Sequence, residues 1–132
     1  MSQENVEVAR QMYEAFNRGD VDAFLERCAP EFEFRDLPQL PGSGVFVGPD
    51  GFRAWWNQLT DAFEDLRFDP TDFIDAGDRV VVAIHATGSG RGSAAKVEMQ
   101  MSNVWTLNDG MVARLTTHAD HAEALGAAGL RE

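Results

Sequence analysis

Residues 96–118 read KVEMQMSNVWTLNDGMVARLTTH. Two runs with strand-like alternation flank the triplet NDG, the pattern of an antiparallel hairpin with a tight turn. A hairpin of this length must bury one face against further structure. The odd positions of its first run are Val97, Met99, Met101, Asn103, Trp105 and Leu107, and the even ones are mostly polar. The odd face therefore turns inward, carrying a lone amide, Asn103. A buried amide without partners costs about 1–3 kcal/mol. Asn103 is either satisfied by its core neighbours or faces a polar ligand.

What the hairpin packs against lies upstream. Val6, Ala9, Tyr13 and Phe16 make one stripe at helical spacing, and Gly19 and Asp20 stop that helix and cap the next. The second helix carries Val21, Phe24, Leu25 and Cys28 and ends before Pro30. A strand over Glu31–Asp36 follows, then LPQLPGSGVFVG, a loop too rich in proline and glycine for an element. Pro49 and Asp50 suit the first turn of a third helix, with Phe52, Trp55, Trp56, Leu59 and Phe63 on its apolar side. LRFDPTDFIDA is a strand broken by Pro70, hence an edge or a bulge. GDRVVVAIHATG is a turn and a strand, and SGRGSA is a hairpin tip. DHAEALGAAGL closes as a short helix, with Asp120 and Glu123 spaced as a capping-box pair. Helices and strands are segregated, so the fold class is α+β. We expect a cone-shaped, strongly curved antiparallel (mixed) sheet with three N-terminal helices on its concave face and a short C-terminal helix, forming one domain over residues 1–132. The apolar residues Val80, Val82 and Ile84 are expected on the convex face, where a second copy would cover them as a homodimer.

The strand EFEFRD places Phe32, Phe34 and Asp36 on one face. Asp36 either reaches solvent at the strand end or faces the cone. In the cone, desolvation raises a carboxylate's pKa and makes it a candidate general base. A base beside an amide donor is a minimal set for moving a proton next to a carbonyl. His85 shares its face with Arg79, Val81, Ala83 and Thr87 and is read as a pocket-wall histidine able to assist. Trp56, Met101 and Trp105 are candidate walls of a substrate pocket, with Tyr13 from the first helix. His118, Asp120 and His121 invite a metal reading, but no third ligand is suitably spaced and Asp120 is explained as a cap, so no metal and no cofactor are expected. GSGRGS lacks the end of a phosphate loop, Cys28 is read as a structural thiol, and no serine sits in a nucleophile elbow.

A net charge of −11 over 132 residues disfavours nucleic acid and anionic membranes as partners. The single cysteine excludes an internal disulfide and, with no signal-peptide core at the N-terminus, fits a cytoplasmic protein.

The stretch VARQMYEAFNRGDVDAFLERCAPEFEFRD resembles the opening of the SnoaL-like and ketosteroid isomerase-like families of the nuclear transport factor two-like fold superfamily. VWTLNDGMVARLTTHADHAEALGAAGL resembles the closing strands and tail of the SnoaL-like group. The resemblance implies that Asp36 stands where ketosteroid isomerases keep their aspartate base. It likewise implies that Asn103 stands where they keep an acid donor of the oxyanion hole. Their oxyanion tyrosine would align near Met12, one residue from Tyr13. The function this implies is cofactor-independent isomerase- or cyclase-like acid–base chemistry on a small apolar carbonyl compound. Two alternatives share the fold: a ligand-binding or interaction module without turnover, and an epoxide hydrolase or hydratase in which Asp36 and Asn103 position a water.

Overall fold

The computed structural model describes residues 2–36, 44–93 and 95–130. In chain order it contains α1 Ser2–Asn17, α2 Val21–Glu26, β1 Cys28–Arg35, β2 Val45–Val47, α3 Gly48–Ala62, β3 Phe63–Ala76, β4 Arg79–Gly90, β5 Lys96–Asn108, β6 Met111–His118 and α4 His121–Ala127. The strands form one curved, mixed sheet in the order β2-β1-β6-β5-β4-β3, in which β1 and β6 run parallel and the other pairs antiparallel. Most of the loop expected after Asp36 falls on residues 37–43, outside the described residues, as does Ala94 of the expected hairpin tip. The end of that stretch is a strand after all. Phe46 of β2 stacks on Phe34 with centroids 6.2 Å apart, while Val45 and Val47 stay exposed at the sheet edge.

The first helix ends in a Schellman motif. Gly19 takes φ 73°, Asp20 N–H donates to the Ala15 carbonyl at 2.9 Å and Gly19 N–H to that of Phe16 at 3.0 Å. Asp20 then caps α2, accepting from Ala23 N–H at 3.0 Å. The second helix is shorter than expected. The chain leaves it at Arg27, whose carbonyl accepts from Val112 N–H at 2.7 Å, so Cys28 begins β1 beside β6 instead of ending the helix. Phe63 likewise opens β3 and does not close α3. Pro70 lies in edge strand β3, next to a register shift between Pro70 and Asp72, as a residue without an N–H requires.

Side chains of α1, α2 and α3 pack with Phe32, Phe34, Val80, Val82, Ile84, Trp105, Leu107, Val112 and Leu115 into the main core. The placement of Val80, Val82 and Ile84 on the outward face is thereby corrected: they are at most 1% exposed and face the helices. The outward residues of the same strands are the alternating set, and α4 covers two of them. Val81 and Val104 form a second, smaller core with Ala124 and Ala128. Asp120 does cap α4, accepting from Ala122 N–H at 2.9 Å, but Glu123 does not complete a capping box. Its carboxylate lies 2.7 Å from His118 Nδ1 instead. Among the described residues no helix is long and apolar enough to cross a membrane.

Candidate functional site

Between the helices and the inner face of the sheet lies a cavity of about 140 Å³. Met12, Tyr13 and Phe16 of α1, Phe24 of α2 and Phe52, Trp55 and Leu59 of α3 form its helical side. Asn103, Met101 and Trp105 of β5, with Leu115 and Thr117 of β6, form its floor, and Asp36 stands at the end of β1.

Strand register explains how residues so distant in sequence meet. Arg35 pairs with Thr116 in the parallel β1–β6 ladder, and Thr117 pairs with Asn103 across β5–β6. One step beyond Arg35, the extended chain is held by Asp36 N–H donating to the Gly44 carbonyl at 3.3 Å. Asp36, Thr117 and Asn103 thus continue one row across three neighbouring strands. With strands about 4.8 Å apart, the outer two backbones of that row are separated by about 10 Å. The Asp36 carboxylate and the Asn103 amide thus flank Thr117 along one row of the cavity lining.

Each polar side chain in the row is held. Trp55 Nε1–H donates to Asp36 Oδ2 at 2.9 Å. Asn103 Nδ2 donates to Thr117 Oγ1 at 3.0 Å, and Asn103 Oδ1 accepts from the Tyr13 hydroxyl at 2.6 Å. Trp105 Nε1–H donates to the same Tyr13 oxygen at 2.9 Å. The two rings meet edge to face, centroids 5.4 Å apart. Burial pushes the Tyr13 phenol far above its usual range, more than the Trp105 hydrogen bond draws it back, so Tyr13 is a neutral donor. Of the two amide hydrogens on Asn103, one is committed to Thr117.

Asp36, Asn103, Tyr13, Met101 and Trp105 therefore line one cavity, whereas two other expected residues do not. His85 lies on the outer face, where its Nε2 is 2.8 Å from Glu98 Oε2. This corrects its reading as a pocket wall: β4 turns Val82 and Ile84 inward, and alternation sends His85 out. Trp56 is also corrected. It packs edge to face on Phe16 at 4.9 Å and is not a lining residue, while its neighbour Trp55 is. Trp55 shares a helical face with Phe52 and Leu59 at intervals of three and four, a signal present in the sequence. Thr117 was also missed; its position opposite Asn103 in the hairpin would have found it.

Outside the cavity, His118 is engaged by Thr116 Oγ1 at 2.9 Å and by Glu123, while His121 Nδ1 lies 2.7 Å from Ser102 Oγ. Among the described residues no three His, Cys, Asp or Glu side chains gather closely enough to hold a metal ion. Cys28 is buried with its Sγ 3.5 Å from the Phe24 carbonyl, and burial pushes its thiol up to about 12.

Residues 9–115 match the model of the SnoaL-like domain. No curated protein matches the chain. Among solved structures, an NTF2-like protein of unknown function from Burkholderia pseudomallei is 24% identical, with 93% of this chain and 95% of that one covered at a TM-score of 0.82. TerC, co-crystallised with polyporic acid, is 21% identical over 96% of this chain and 98% of its own, with a TM-score of 0.80. A protein described as a SnoaL-like polyketide cyclase, from Jannaschia sp. CCS1, is 21% identical over 99% and 95% of the two chains, with a TM-score of 0.78. At these identities the likeness is one of fold.

Proposed function

The chain belongs to the SnoaL-like domain family, and from that premise we propose that its cavity performs acid–base chemistry, without a cofactor, on a small apolar carbonyl compound. In this reading the Asp36 carboxylate removes a proton from the carbon beside the carbonyl. The C–H electron pair becomes the enolate C=C bond, and the carbonyl π pair moves to oxygen. The uncommitted N–H of Asn103 stabilises that oxygen. Protonated Asp36 then returns the proton, to the same carbon or to a conjugated one, which gives exchange or isomerisation respectively. Trp55 orients the base and Tyr13 orients the amide. The observation that supports this reading is the row Asp36–Thr117–Asn103 along one apolar cavity, a carboxylate and an amide donor that line the same space. It is tested by following α-proton exchange of small ketones in D2O by NMR, with the wild type and Asp36→Asn.

A second reading, binding without turnover, is favoured by one specific observation. Both ends of the Asn103 amide already have protein partners, as a structural asparagine would. That TerC was crystallised with polyporic acid supports small-molecule binding under either reading. We also propose that the chain forms homodimers and works in the cytoplasm. The dimer rests on the family resemblance, since the strand residues first expected at such an interface are in the core.

A further inference from the structure

The direction of one hydrogen-bond chain identifies a second donor for the substrate oxygen, an inference that rests on the acid–base reading above. An indole N–H can only donate, so the chain has a fixed start at Trp105. Trp105 Nε1–H donates to the Tyr13 oxygen at 2.9 Å, and the Tyr13 hydroxyl hydrogen goes to Asn103 Oδ1 at 2.6 Å. The amide nitrogen is thereby turned to Thr117 and donates to its Oγ1 at 3.0 Å. Turning the amide over would set its NH2 group against the Tyr13 oxygen and leave that hydroxyl hydrogen without an acceptor in the chain. Every bond therefore points the same way.

The chain ends at the Thr117 hydroxyl. Thr117 is 7% exposed and lines the cavity. Its oxygen accepts from Asn103, and among the described residues its hydroxyl hydrogen has no acceptor. Asn103, 5% exposed, keeps its second N–H beside it. A buried donor left unmatched destabilises a purely structural network, and it is matched once a ligand oxygen arrives. Bonds in such a chain polarise one another, so the three upstream strengthen the last donor. Strand β6 lies between β5, which carries Asn103, and β1, which leads to Asp36. An oxygen held at Thr117 is therefore held next to the base.

We propose that Thr117 is a catalytic residue: its O–H and the second N–H of Asn103 together hold the carbonyl oxygen of the substrate. Both groups are donors, and a carbonyl oxygen offers two lone pairs. Neither gives up its proton. As Asp36 removes the proton from the adjacent carbon, the charge arriving on the oxygen meets two hydrogen bonds already in place.

The test uses 2-cyclohexen-1-one, isotope-labelled at its carbonyl carbon. Binding is followed by intrinsic tryptophan fluorescence, since Trp55 and Trp105 line the cavity. The infrared C=O stretch of the bound ketone then reads the hydrogen bonds at its oxygen. In the wild type it should lie well below the stretch in an apolar solvent. Thr117→Val keeps the shape of the side chain without its hydroxyl and should move the stretch to higher wavenumber. Thr117→Ser restores the O–H and should bring it back. Exchange of α-protons should fall about 10²-fold in Thr117→Val and recover to within about tenfold of the wild type in Thr117→Ser. Folding is checked by far-UV circular dichroism, and Thr117→Ala serves the same comparison if Thr117→Val does not fold. A stretch that is the same in the wild type and in Thr117→Val overturns the proposal, as does a wild type that binds no cyclohexenone. The stretch is read without turnover. A bound ketone whose stretch depends on Thr117 but whose α-protons never exchange sinks the acid–base reading and leaves the anchor standing. Exchange with a stretch indifferent to Thr117 does the reverse.

Discussion

The Tyr13 hydroxyl donates to Asn103 Oδ1 at 2.6 Å while accepting from the Trp105 indole at 2.9 Å, so one phenol oxygen joins a helix to a strand at two points. Tyr13→Phe leaves an amide oxygen and an indole N–H without their partner. Each group so orphaned costs about 1–3 kcal/mol. Urea unfolding of this variant should show a loss of that order. A double variant with Asn103→Leu should lose less than the two single changes summed, because the orphaned amide is removed as well.

Asp36→Asn keeps the shape of the side chain and removes the base. Exchange of α-protons should fall by about 10²–10⁴-fold, the usual contribution of general-base catalysis, with the far-UV circular dichroism unchanged. Exchange at the wild-type rate would refute the assignment.

Trp55→Phe keeps an aromatic wall and removes the N–H donated to Asp36 Oδ2. The base is then mispositioned but present. The expected loss in kcat is about tenfold, smaller than for Asp36→Asn, with KM little changed. An equal loss in both variants would instead point to a collapsed site.

His85 is on the far side of the sheet from the cavity, paired with Glu98. His85→Ala should leave ketone exchange and ligand titrations unaltered. A loss in either would require a route from the outer face to the site.

The Cys28 thiol is raised by burial from 9.0 to about 12, and the Tyr13 phenol moves in the same direction. Both groups hold their protons in the folded chain at pH values where the unfolded chain releases them. Their contribution to stability is therefore complete below about pH 9 and declines as the pH rises from there toward 12. Thermal unfolding between pH 8 and 11 should show Tm falling with pH. At pH 8 a thiol reagent should label Cys28 far more slowly in the folded protein than in urea.

Size-exclusion chromatography with light scattering should give a dimer at micromolar concentration. A monomer would remove the proposed self-association without touching the cavity.

Much of this fold was legible because its elements have strong local signals. The NDG turn set the β5–β6 hairpin, and its alternation put Met101, Asn103 and Trp105 on one face, where all three meet the cavity. The phenylalanine alternation did the same for Asp36. The misreadings arose where a local pattern supports two answers. Strand β4 is buried on both faces, with Val80 and Val81 each 0% exposed, so apolarity could not say which set faced inward, and His85 was carried to the wrong side with it. Trp55 and Trp56 are adjacent on a helix whose apolar side is wide enough for both. Cys28 continues the helical spacing of Phe24 and Leu25, but pairing with β6 claims it for the sheet. Strand β2, three residues long, carries too little pattern to be seen at all.

The parallel ladder between β1 and β6 joins the first strand of the chain to the last. The carboxylate at residue 36 and its neighbour at 117 become neighbours only when that ladder forms. Closing so long a loop early carries an entropic cost that local hairpins avoid. During synthesis, α1, α2, α3 and the β3–β4 pair can form well before residue 117 has left the ribosome, yet none of these stages has a cavity floor. Under the proposed function, ligand binding therefore requires both β1 and β6, and a bound ligand would act as a last-stage fastener between residues 36 and 117.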